Sequence, residues 1–177
     1  MPITEARLSD AVEIAALHAQ SWREHYRGEF EDAYLDGNLV AERTEVWRAR
    51  LTRPAPNQCV FVARSEAGLE GFVCVYGDHD PAWGSLVDNL HVVTTRHRRG
   101  TGRALMRAAG EWLARRFPDP PVHLLVLESN ARARGFYEAI GGRCAQTSAM
   151  ETNGGALVRS CHYVWDRAEA LRDAAAA

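Results

Sequence analysis

The sequence has no lysine: all 21 basic side chains among its 177 residues are arginine. That absence excludes a Schiff-base lysine, a P-loop lysine and a Ser–Lys dyad. The four cysteines, Cys59, Cys74, Cys144 and Cys161, stand far apart with no CxxC pair, so no zinc spacing exists and no metal is expected. Cys59 in QCVFVA and Cys74 in FVCVY read as small buried hydrophobes. No apolar run approaches the ~20 residues of a membrane span. The acidic start MPITEARLSDAVE lacks the apolar core of a signal peptide. A soluble, reducing, cytoplasmic setting with no membrane contact is the expectation. No internal repeat, linker or GxGxxG is present, so residues 1–177 read as one domain.

What is present describes an ordinary globular chain, 46% hydrophobic and 25% charged. Its 21 basic and 23 acidic side chains leave a net charge of −2, which argues against a nucleic-acid partner. A short strand is expected near Ile3–Arg7. A helix follows to about Tyr26, entered at Ser9 or Asp10. Further helices are expected over Phe30–Leu39 and Val40–Leu51, ending at the prolines of RPAPNQ. Cys59–Arg64 and Gly71–Tyr76 form a hairpin around SEAGLE. After the turn-rich GDHDPAWG, SLVDNLHVV is a third strand of that group. Thr101–Phe117 is a strong helix, with Leu105, Met106, Ala109, Trp112 and Leu113 at helical spacing. Val122–Leu127 runs apolar like a central strand. Asn130–Ile140 is a short helix. Strands near Arg143–Glu151 and Ala156–Asp166 meet at TNGG, and the Ala-rich end from Ala168 is expected to fray. This order gives an α/β (α+β) sheet covered by helices.

Chemistry concentrates in DNLHVVTTRHRRGTGRALMR, residues 88–107. A strand ends, a glycine turn follows, and a helix opens. The first turn of a helix leaves backbone N–H groups without intrahelical partners, and the helix dipole adds positive charge there. Gly100 and Gly102 permit close backbone approach among Arg96, Arg98, Arg99, Arg103 and Arg107. The segment is therefore a site for an anion, and a diphosphate suits it; alone, it equally describes a helix start with solvated arginines.

A second segment, NARARGFYEAIGG at residues 130–142, follows the apolar strand directly. The two together resemble the GCN5-related N-acetyltransferase (GNAT) superfamily. The turn His97-Arg98-Arg99-Gly100-Thr101-Gly102 corresponds to its Arg/Gln-x-x-Gly-x-Gly/Ala motif, and Asn130, Ala133, Phe136, Tyr137 and Glu138 correspond to its helix motif. There are two departures. His97 replaces the Arg or Gln, and the helix ends IGG where LGF is commoner, which removes an aromatic that packs on the C-terminal hairpin.

The resemblance implies a single GNAT-like domain, with a mixed, mostly antiparallel sheet of about seven strands splayed between its fourth and fifth strands. It implies acetyl-CoA as donor, no metal, and a primary amine, small-molecule or peptide, as acceptor. Leu90, His91 and Val92 would pair through their backbone with the pantetheine arm. Arg98, Arg99, Gly100, Thr101, Gly102 and Arg103 would cradle the pyrophosphate with their amides. Asn130 would hydrogen-bond the pantetheine arm, and Ala133, Phe136 and Tyr137 would line the groove. Tyr137 would protonate the leaving thiolate, and the Val92 N–H would polarise the oxyanion. A homodimer stays open, since C-terminal strands of this fold often build dimers.

For the base, Asp88 is preferred over His91. On a regular strand the two point to opposite faces, and only a bulge would bring them together. Trp22 and Tyr26, spaced i, i+4, are candidates for acceptor binding or for core packing. The alternatives are a non-catalytic acyl-CoA-binding or regulatory domain of the same fold, and a generic ATP-binding protein lacking the expected lysine. Charge is polarised along the chain. Residues 1–90 carry 8 Arg against 15 acids, and residues 91–177 carry 13 against 8. A basic half suits an anionic donor, and an acidic half suits a cationic acceptor.

Overall fold

The apolar runs assemble into a seven-stranded sheet in the computed structural model, which describes residues 2–94, 99–152 and 157–176. The strands are β1 (Ile3–Glu5), β2 (Gln58–Ser65), β3 (Gly68–Asp80), β4 (Gly84–Val92), β5 (Val122–Leu127), β6 (Arg143–Glu151) and β7 (Leu157–Trp165). The helices are α1 (Ala11–His25), α2 (Asp32–Asp36), α3 (Leu39–Thr52), α4 (Thr101–Arg116), α5 (Ala131–Ala139) and α6 (Ala168–Ala176). The sheet order is β1-β2-β3-β4-β5-β7-β6. Every neighbouring pair is antiparallel except β4–β5, which is parallel.

Both faces of the central strands are covered, which explains the near-continuous apolar run of β2. Val60 and Val62 pack with Phe72, Cys74 and Trp47 beneath α1 and α3. Cys59, Phe61, Val73, Val75 and Val87 pack on the opposite face with α4, α5 and α6. Burial raises the Cys59 and Cys74 thiols to about 12, so both behave as apolar groups.

Three expectations change. The helix over Phe30–Leu39 shrinks to Asp32–Asp36, with Phe30 turned into a small core of Ala19, Trp22, Leu35 and Leu39. GDHD is not loop: β3 continues through it to Asp80, with the Phe117 ring where a Gly77 side chain would lie. The C-terminal helix does not fray. Ala168, Leu171 and Ala175 are buried, and α6 lies so close to α4 that a Cβ at Gly110 would sit 2.8 Å from the Arg172 nitrogen. Burying Leu171 alone contributes about 2 kcal/mol, enough to offset a weak terminal helix. The TNGG turn falls mostly outside the described residues.

The IGG ending of α5 is packed by Trp165 of β7. Its ring would meet a Gly142 Cβ at 2.7 Å, and its Nε1–H donates to Ile140 O at 2.7 Å. Tyr163 adds a second tie from β7, donating to Glu138 Oε1 at 2.6 Å. These two side chains tie the end of α5 to β7.

Candidate functional site

The parallel pair of β4 and β5 is held only at its start, by Ser85 opposite Val122 and Leu86 opposite His123. Beyond that point the strands part. β5 stays paired with β7 along its whole length, so its free edge faces an opening. Val93 N–H donates to Glu70 O next to β3 at 2.9 Å. Antiparallel alternation then turns the backbone of Leu90 and Val92 toward the β5 side. A cavity of about 790 Å³ fills the gap.

The described parts of both motifs meet at this cavity. Gly100 begins α4 with a left-handed backbone, φ 83°, and no atom lies within 4 Å of where its Cβ would be. The turn thus presents open space at a helix N-terminus, where N–H groups point outward and the dipole favours an anion. A Cβ at Gly102 would lie 3.3 Å from Phe136 Cζ, so this glycine lets α4 approach α5. Gly100, Gly102, Arg103, Asn130, Ala133, Phe136 and Tyr137 all line the cavity, whereas Arg99 and Thr101 do not. Arg98, like Arg96 and His97, lies outside the described residues.

Side-chain roles are narrower than the sequence suggested. The Arg103 guanidinium donates to Ala174 O at 3.0 Å and Ala139 O at 3.1 Å, near the C-terminal ends of α6 and α5. It joins two helices, where their carbonyl ends favour a cation. Arg107 pairs with Glu111 at 3.1 Å. Asn130 caps α5: its Oδ1 accepts from Ala133 N at 3.0 Å, which leaves its amide NH₂ to serve a ligand.

Tyr137 is 8% exposed, edge-on to Phe136 and beside Tyr163 and Trp165. Burial and, secondarily, Tyr26 raise its phenol above the usual range, so it stays protonated through neutral pH. Tyr26 lines the cavity from α1. Trp22 does not: it is buried against His18 and Phe30, with the Arg43 guanidinium over its ring. Of the two acceptor candidates, only Tyr26 reaches the space.

The regular-strand expectation for Asp88 and His91 fails. Cys74 opposes Asn89, but the next residue, Val75, opposes Val87. Asp88 is therefore the extra residue of a bulge, and side-chain alternation resets there. Asp88 reaches Arg50 of α3 at 2.6 Å, and His91 reaches Ser21 of α1 at 2.8 Å, so both turn to the face covered by α1 and α3. Arg50 also donates to Asn89 Oδ1 at 3.2 Å. Burial, with a smaller push from His25, lowers His91 to about 3, so its imidazole is neutral.

Several acidic groups expected to draw a cation are engaged within the chain. Glu24 accepts from Thr94 at 2.6 Å and Gln20 at 2.7 Å, and Arg27 binds Asp32 and Asp36. Sequence reading missed Ser21, His25 and Arg50. A lone Ser, His or Arg on a helix carries no spacing signal, and only packing brings these to the strands. Among the described residues no cluster of three His, Cys, Asp or Glu could hold a metal ion, and no helix is long and apolar enough to cross a membrane.

Comparison with known proteins adds four findings. Residues 56–141 match the family model described as acetyltransferase (GNAT) domain. The chain is 30% identical over 115 residues to the uncharacterized N-acetyltransferase YuaI of Bacillus subtilis (strain 168), a match covering 63% of each protein. Its fold is similar to that of PaiA N-acetyltransferase from Thermoplasma acidophilum in complex with coenzyme A. There the TM-score is 0.68 at 16% identity, covering 90% of this chain and 98% of that one. It is likewise similar to yncA from Salmonella typhimurium with its cofactor acetyl-CoA. Here the TM-score is 0.68 at 16% identity, covering 93% and 92%.

Proposed function

We propose that the chain is a GCN5-related N-acetyltransferase, as the match of residues 56–141 to that domain model supports, and that it transfers an acetyl group from acetyl-CoA to a primary amine by direct attack within the β4–β5 cavity. The observation that carries this reading is the opening between β4 and β5, with the Gly100 turn and Tyr137 both on its wall. The residues present fit the donor. The clear space at Gly100 accommodates a phosphate, and the unpaired edge of β5 with the outward backbone of Leu90 and Val92 suits an extended amide-bearing arm. Bound there, acetyl-CoA supplies a thioester carbonyl for attack and a thiolate as leaving group.

The chain's own groups have separable tasks. The first N–H groups of α4, together with the amides of the turn before it, hold the diphosphate. The Asn130 NH₂ donates to the arm, and Ala133 and Phe136 pack along it. The Val92 N–H, turned toward β5, polarises the carbonyl oxygen. Tyr137, buried and protonated, donates to the departing sulfur. Asp88 is the base. Arg50 holds one of its oxygens, which leaves the other to receive the amine proton through water. The acceptor enters from the α1 side past Tyr26. We place the reaction in a soluble, cytoplasmic, single-domain protein, with a homodimer through the C-terminal strands left open.

The test has two stages. Calorimetry with CoA and with ATP should give binding for CoA alone; binding of ATP alone overturns the reading. Acetyl transfer to a panel of primary amines should then show turnover. CoA binding with no turnover on any amine favours the non-catalytic acyl-CoA-binding alternative.

A further inference from the structure

One pair on the α1 side of the cavity is left unused by the reaction as described. Ser21 is 8% exposed and its Oγ lies 2.8 Å from His91 Nδ1, and both residues line the cavity. The His91 ring is wedged between Phe72, at 5.3 Å, and His18, at 4.7 Å. His18 is itself fixed, since Trp47 Nε1–H donates to its Nδ1 at 3.0 Å. His91 therefore has one ring position, with Nδ1 engaged and Nε2 remaining as its polar atom. The other acceptor side chains of β4 at the cavity, Asp88 and Asn89, already accept from Arg50.

We infer that Ser21 is a positioning residue for the acceptor: by accepting the His91 Nδ1–H it fixes the tautomer whose Nε2 lone pair receives an N–H of a neutral primary amine. This rests on the acetyl-transfer reading for its consequence, but not for its geometry. A neutral amine must keep its own lone pair free for the carbonyl carbon, so it needs an acceptor for its N–H rather than a donor. In the opposite arrangement, with Ser21 donating to Nδ1, the proton sits on Nε2. β4 would then offer the amine no imidazole acceptor, and the one Asp88 oxygen that Arg50 leaves is the one that takes the proton through water. The two ring nitrogens are distinct, and the bond made by one decides what the other can do. Burial keeps His91 neutral, so it orients the amine without taking its proton. The acceptor class that fits is an amine reaching the cavity uncharged, guided by an imidazole and the Tyr26 hydroxyl rather than by a free carboxylate.

The experiment is NMR of full-length protein labelled with ring-¹⁵N histidine, with His91 assigned by its loss in His91→Gln. The expected wild-type result is the Nδ1–H tautomer, a shift toward Nε2–H in Ser21→Ala, and return to Nδ1–H in Ser21→Thr. An Nε2–H tautomer in the wild type overturns the proposal. So does a Ser21→Ala spectrum with the tautomer unchanged. In the kinetic arm, with phenethylamine and glycinamide as probes, Ser21→Ala should raise the amine KM about tenfold, with CoA affinity unchanged and Ser21→Thr restoring KM. If calorimetry finds no CoA binding, the transfer reading fails, while the tautomer result stands on its own.

Discussion

Replacing Tyr137 by Phe removes a single oxygen from the cavity wall. The ring contacts with Phe136, Tyr163 and Trp165, at centroid distances of 5.4, 5.8 and 6.2 Å, are retained. Stability should therefore move by less than about 1 kcal/mol, and CoA affinity should not change. The rate should change much more. A positioned general acid is worth about 10²–10⁴-fold. A thiolate leaves readily, which places this case at the lower end, about 10²-fold or ~2.7 kcal/mol of barrier. The pH dependence carries the sharper signature. Burial raises the Tyr137 phenol above its usual value. The wild type should hold its rate through neutrality and lose it only on the alkaline side, as the donor deprotonates. The variant should lack that alkaline fall. The assay is acetyl transfer followed by free thiol release from acetyl-CoA across the pH range, with CoA binding measured separately. An unchanged rate at every pH would refute the acid role and leave Tyr137 as a packing residue.

Other expectations test the frame around the site. Gly110→Ala places a methyl 2.8 Å from the Arg172 nitrogen, so α4 and α6 must separate. Urea unfolding should show a loss of about 1–3 kcal/mol, and no loss would mean that α6 is not docked as described. Gly100→Ala has ample room but a φ of 83°. It should lose about 1 kcal/mol of stability from strain and weaken CoA binding, both readable by calorimetry. His123 is buried, which, with a smaller contribution from His162, lowers it from 6.5 to about 4. The unfolded chain then binds a proton first as pH falls, so stability should drop between pH 6.5 and 4 and be unaffected above that window. Between pH 7 and 5 this amounts to about 2 kcal/mol. His123→Gln should flatten that slope in urea melts at the two pH values, and an equal slope would reject the assignment.

Elements with a strong local signature were legible early. The α4 stripe of Leu105, Met106, Ala109 and Leu113 is buried as its period requires. β5 begins and ends with its apolar run, and β6 begins and ends where its flanking glycines and turn place it. Elements whose state depends on a distant partner were not legible. α6 has the composition of a fraying tail, and its helix is secured by the smooth patch that Gly110 leaves on α4. GDHD looks like a turn, but its backbone is held by Asn57 and Ser85, as Asn57 Nδ2 donates to Gly77 O and Asp78 N donates to Ser85 Oγ.

The division runs through the site as well. By itself the sequence determined that a glycine turn opens a helix beside arginines, and that Tyr137 follows Asn130 at a spacing that keeps both on one short helix. Those are local facts of helix entry and period, set by neighbours a few residues away. Only the tertiary structure decided which way the β4 side chains point. The bulge at Asp88 is a mismatch of register between β3 and β4, and register is a property of two strands. It also decided that His91 meets Ser21, 70 positions earlier, while Trp22 turns into the core. Side chains so far apart in sequence meet only through the packing of α1 on the sheet, and no spacing along the chain encodes that contact.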